Sequence, residues 1–105
     1  MGKLMFDQYS LVHFSTGVIA YFFNISLKTT IILHTIFELS ENTEIGMRFI
    51  NTYFAGIWPG GKPYADSFIN NIGDSVSVII GWLVAYYLDL LSIKYGWYDS
   101  HLVAL

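Results

Sequence analysis

With 105 residues, of which 54% are hydrophobic and only 12% charged, the chain has too few charges to cover a water-facing surface; soluble domains carry about 25%. Its net charge of −3 and five dispersed Lys and Arg residues exclude a basic nucleic-acid footprint. No cysteine is present, which excludes a disulfide framework, a thiolate metal site and a thiol nucleophile. A mean hydropathy of +0.50 completes the expectation: one all-α domain over 1–105, an integral membrane bundle in a lipid bilayer. About three transmembrane helices and one interfacial amphipathic segment are expected.

The first element is predicted over Gln8 to Leu27, twenty residues without a formal charge, close to the ~20 that a spanning helix needs. On a helical wheel His13, Gly17, Ala20 and Asn24 share one face, and Leu11, Val12, Val18 and Ile19 take the others. One small, polar stripe on an otherwise apolar helix suits packing into a bundle. Lys3 is soon followed by Asp7, and the apolar run is long and aromatic. The segment is therefore expected to be retained rather than cleaved as a signal peptide.

The second element is predicted from about Thr29 to about Tyr53. His34, Glu38, Glu41, Ile45 and Arg48 fall within one sector of a helix with 3.6 residues per turn. The alternative is a break near Asn42, with Ile45 to Trp58 lying in the interface as an amphipathic segment. Arg48 is placed to neutralise Glu44 or Glu41. Trp58-Pro59-Gly60-Gly61-Lys62-Pro63-Tyr64 is a loop, because it concentrates both prolines with a glycine pair.

The third element is predicted from about Asp66 to about Ile93, capped by Asp66 or Ser67. Gly73, Ser77, Gly81 and Ala85 recur every four residues, a small-residue ladder that lets another helix approach closely. It is a candidate surface for self-association or for other membrane subunits. Asp89 and Lys94 are expected at a membrane edge, and Tyr95-Gly96-Trp97-Tyr98 reads as an aromatic anchor.

Chemistry concentrates in a few positions. His34, Glu38 and Glu41, at i, i+4 and i+7, stack three ligand-capable groups on one helix face. With His13 from the first element and Asp66, Asn70 or Asp74 from the third, they form a candidate mixed N/O site for a divalent metal. Glu38, Glu41, Asp66 and Asp74 are the candidate catalytic carboxylates. Close carboxylates in a low dielectric cannot all ionise, which suits a general acid or base and equally a proton relay. Asn42 and Asn70 are expected in a polar network around them. The plainer reading is structural: such groups can satisfy one another and fix helix register without chemistry.

Three ordered motifs resemble an uncharacterised family of small bacterial inner-membrane proteins that is distantly VanZ-like. They are His13-x-x-x-Gly17, Phe37-Glu38-Leu39-Ser40-Glu41-Asn42 and Asp66-Ser67-Phe68-Ile69-Asn70-x-x-x-Asp74, covering about residues 10 to 90. The chain departs from the family at Thr16, where members often carry a second His, and at Ala65, where many carry Gly. The resemblance implies a helical membrane protein with a polar centre, and it implies no activity. Three functions follow as expectations. One is an intramembrane metal or acid–base site for a lipid-like or amphipathic ligand. Another is an accessory subunit of a larger membrane assembly, such as a respiratory, ATP-synthase-like or viral complex. The third is a component of a proton-coupled transporter.

Overall fold

A computed structural model describes residues 2–54, 56–58 and 61–105. Among these residues there are four helices and no strand: α1 (Gln8–Phe22), α2 (Leu27–Glu41), α3 (Glu44–Tyr53) and α4 (Phe68–Tyr95). Ala55, and Pro59 and Gly60 of the expected loop, lie outside the described residues.

The boundaries follow from capping. At the start of α1 the Asp7 side chain accepts from the Tyr9 N–H at 2.9 Å, and Ser10 Oγ accepts from the Asp7 N–H at 2.9 Å. This reciprocal pair satisfies two donors that the first turn leaves free. The end comes earlier than the uncharged run implies. Asn24 is left-handed at φ 62°, Ile25 N–H donates to Ala20 O at 3.1 Å, and Asn24 N–H donates to Tyr21 O at 3.1 Å. That double closure ends a helix, and Asn is one of the few side chains that tolerate the conformation. Hydropathy alone extended α1 to Leu27; the turn at Asn24 stops it at Phe22.

A single helix from Thr29 to Tyr53 is not what forms. α2 starts at Leu27, with Ser26 Oγ accepting from the Thr29 N–H at 3.1 Å, and it ends at Glu41. Asn42 Nδ2 donates back to Glu38 O at 2.8 Å, and Thr43 Oγ1 opens α3 by accepting from the Gly46 N–H at 3.0 Å. Asn and Thr side chains compete for backbone groups, so side by side they break the helix. The break near Asn42 is therefore the arrangement adopted. α3 buries Ile50 and exposes Ile45, Phe49 and Tyr53, and Arg48 pairs with Glu44 at 3.2 Å.

α4 is capped by Ser67, whose hydroxyl accepts from the Asn70 N–H at 3.2 Å, and it ends on left-handed Gly96 at φ 68°. Its 28 residues form the long axis of a molecule measuring 47 × 24 × 23 Å. It is the one described helix long and apolar enough to cross a membrane, with a mean hydropathy of 1.9. α1 and α2 have 15 residues each, short of the ~20 that span a bilayer. Of the three expected spans, α4 alone among the described helices has the length and composition to cross a bilayer.

α1 lies along α4, whereas α2 touches α4 less extensively and barely touches α1. Two glycines make the α1–α4 contact possible. A Cβ on Gly17 would overlap the Val78 carbonyl, and one on Gly81 would overlap the Phe14 carbonyl. The ladder of Gly73, Ser77, Gly81 and Ala85 is buried, and within it Gly81 meets α1 of the same chain.

The apolar core sits at the far end of this pair. Trp82 is fully buried, packs edge-to-face on Tyr21 at 5.2 Å, and donates through Nε1 to Ile25 O at 2.9 Å. The C-terminal segment folds back over it, burying Val103, and Ala104 O accepts from the Leu27 N–H at 3.3 Å. Asp89 is buried here and accepts from the Tyr21 hydroxyl. Elsewhere many large apolar side chains are exposed. Leu11, Phe23, Leu39, Ile45 and Phe68 each expose 69% or more.

Candidate metal and acid–base centre

The near end of the bundle holds the polar groups. α1 contributes His13, α2 contributes His34, Glu38 and Glu41, α4 contributes Asp74, and the residues just before α4 contribute Asp66. His13 Nε2 lies 3.3 Å from Asp74 Oδ2 and 3.8 Å from Glu38 Oε1. His34 Nε2 lies 3.4 Å from Glu38 Oε1, and the two imidazoles meet edge-on at 5.2 Å. The Glu41 and Asp74 carboxyls both come within hydrogen-bond reach of Glu38. The six residues named as candidate ligands thus gather at one centre.

Their donor atoms converge in two sets. His13, His34 and Glu38 form one, and Glu38, Asp66 and Asp74 the other; within each, the ligand atoms lie within 4.8 Å of one another. Glu41 joins neither set and stands beside Glu38. Among the described residues the buried atoms His34 Nε2, Glu38 Oε1 and Asp74 Oδ1 have no well-formed hydrogen bond, although the first two face each other at 3.4 Å. Native interiors rarely leave such atoms unmatched, because each uncompensated group costs about 1–3 kcal/mol.

Two asparagines hold the frame. Asn42 Oδ1 accepts from the Asp66 N–H at 2.8 Å while its Nδ2 reaches Glu38 O. Asn70 Nδ2 donates to Leu4 O at 2.7 Å and to Asp7 Oδ2 at 3.2 Å, tying the N-terminal residues across the start of α4. Asn42 is bonded beside Glu38 and Asp66, whereas Asn70 turns its amide to the N-terminal residues rather than to the cluster.

Lys62 is the residue that sequence reasoning missed. It is buried, and its Nζ contacts Asp66 Oδ1 at 2.7 Å. From α3, Asn51 accepts from the Lys62 N–H at 2.6 Å and donates to Lys62 O at 2.9 Å, fixing the loop that carries it. Its position four residues before Asp66 was the available signal. Four carboxyl groups around the centre thus share a single ammonium, and the surplus negative charge favours a bound cation or shared protons.

The centre faces a cavity of about 770 Å³ between α1 and α2. His13, His34, Glu41, Asp66 and Asp74 form its polar part, with Lys62 beside them. Val12, Leu33, Phe37 and Ile57 form apolar walls, and Tyr9, Trp58 and Tyr64 add an aromatic rim. Ligand cavities are commonly of this size, mostly apolar with a few convergent polar groups.

No family model, curated protein or solved structure matches this chain. The VanZ-like resemblance therefore rests on its three motifs.

Proposed function

We propose that this chain is an integral membrane protein whose His/Glu/Asp centre holds a divalent cation and engages the polar head of an amphipathic, lipid-like ligand. The observation that carries the reading is the set of buried atoms without a well-formed hydrogen bond, His34 Nε2, Glu38 Oε1 and Asp74 Oδ1, beside the cavity. Each of the three has a lone pair that a cation would accept. A site of His nitrogens and carboxylate oxygens suits Mn, Fe, Zn or Mg. There the ion would polarise an oxygen of the ligand head group. Membrane residence is supported by α4 and by the breadth of exposed apolar surface, which water-soluble monomers rarely present.

The test is purification in mild detergent, followed by elemental analysis and native mass spectrometry of co-purified lipid. Bound divalent metal, lost in Glu38→Gln, together with a retained amphipathic molecule supports the reading. Metal-free protein that gains no stability from any divalent cation sinks it.

An accessory role in a larger membrane assembly is the second reading. It is favoured by α3, which turns Ile45, Phe49 and Tyr53 outward on a short amphipathic helix. Protein that stays a folded, partner-free monomer on extraction from its native membrane would exclude this reading.

A further inference from the structure

We propose that the centre is a two-cation site in which Glu38 is the bridging carboxylate. The proposal rests on the reading of the cluster as a cation site and goes further, to the number of ions and the division of ligands between them.

The two sets of converging atoms overlap in one residue. His13 and His34 belong only to the first set, Asp66 and Asp74 only to the second, and Glu38 to both. A carboxylate has two oxygens and can serve two ions, whereas one ion would have to draw ligands from both sets at once. The two sets adjoin, since His13 Nε2 of the first lies 3.3 Å from Asp74 Oδ2 of the second.

A second, independent observation comes from the three atoms without a well-formed hydrogen bond. One of them, His34 Nε2, belongs to the first set. Another, Asp74 Oδ1, belongs to the second, and the third, Glu38 Oε1, is on the shared residue. All three side chains are more than nine-tenths buried. A single ion leaves at least one of these sets partly unsatisfied; two ions satisfy both.

The sets differ in chemistry. The first offers two imidazole nitrogens and one carboxylate, which suits Mn, Fe or Zn. The second offers only carboxylate oxygens, which suits the harder Mg or Mn. His13 and His34 of the first set and Asp66 and Asp74 of the second all line the cavity, so a ligand oxygen could reach either ion. Lys62, held against Asp66, would sit beside an oxygen at the second.

Manganese is the probe, because it fits both sets and reports its surroundings by electron paramagnetic resonance. The full chain in detergent, stripped with chelator and titrated with Mn²⁺, should bind two ions per chain and show an exchange-coupled spectrum. His34→Gln and Asp74→Asn should each retain one ion, with an uncoupled six-line spectrum. Glu38→Gln should abolish the coupling and weaken binding at least tenfold. Circular dichroism of each variant establishes that it is folded, and the stoichiometry of the unmodified chain decides the matter without any variant. One ion per chain, or two uncoupled ions insensitive to Glu38→Gln, overturns the two-cation proposal while leaving the cation reading standing. No bound ion overturns both.

Discussion

Asn42 accepts the backbone N–H of Asp66 at 2.8 Å, so the residue that terminates α2 also fixes the residue that introduces α4. The same amide donates to Glu38 O, and through these two bonds the spacing of Glu38 and Asp66 is set by a single side chain. Asn42→Ala removes both bonds; Glu38 O keeps the backbone N–H of residue 42, whereas the Asp66 N–H loses its partner. The substitution should cost about 1–3 kcal/mol, read as a lower thermal midpoint in detergent, and it should weaken cation binding although Asn42 is no ligand. Unchanged cation affinity would refute the positioning role.

The α1–α4 contact tolerates no added methyl at its closest points. Gly17→Ala and Gly81→Ala should each destabilise the fold by about 1–3 kcal/mol through overpacking. Gly56→Ala should be close to neutral, because nothing lies near its open side. Thermal unfolding of the three variants checks the contrast; equal midpoints would refute the packing argument.

Which parts of this were legible in the sequence follows from the range of the forces involved. Helical class, the polar face of α2 and the capping of α4 depend on neighbours within a turn or two, and residue types report them. The gathering of His13, His34, Glu38, Glu41, Asp66 and Asp74 was legible because charges are costly in an apolar chain and must meet. Lys62 was not, since its burial depends on Asn51 of α3 and on a loop whose path no periodicity encodes. Nor was the buried Asp89, whose partner Tyr21 lies sixty-eight residues earlier. The stop at Asn24 was hidden for a different reason: it is a conformational event inside an unbroken apolar run.

The second structural hub gives a separate prediction. Trp82→Phe keeps a smaller aromatic ring and leaves Ile25 O without its donor, the lost bond costing about 1 kcal/mol. Trp82→Ala also opens a cavity beneath Tyr21 and should cost about 3–5 kcal/mol. Chemical denaturation in detergent ranks the two; a Phe variant as damaged as the Ala variant would show that the hydrogen bond, not the ring, dominates.

Because the chain contains no cysteine, single reporters can be introduced freely. Spin labels at Leu11→Cys and Ile80→Cys, both on exposed apolar surface, should be relaxed more by oxygen than by a water-soluble nickel chelate in liposomes. A label at Asp99→Cys should show the reverse. Nickel accessibility at Leu11 and Ile80 equal to that at Asp99 would contradict membrane embedding.

Cation binding should also appear as stability. An ion at a hundred times its dissociation constant adds about 2.7 kcal/mol to the folded state. Saturating Mn²⁺ should therefore raise the melting temperature, chelator should reverse the rise, and Glu38→Gln should abolish it. A rise that survives in Glu38→Gln would place the ion elsewhere.

The unequal packing of α1 and α2 against α4 has a mechanical corollary. Gly17 and Gly81 seat α1 on α4 at backbone contact, leaving it no room to slide or roll. α2 has no such seat and scarcely meets α1. The cavity between them therefore has one wall seated along its length and a second held at its ends, by the Leu27 N–H on Ala104 O and by Asn42 on the Asp66 N–H. His13 stands on the first wall and His34 on the second, so the centre exists only while both walls keep their places.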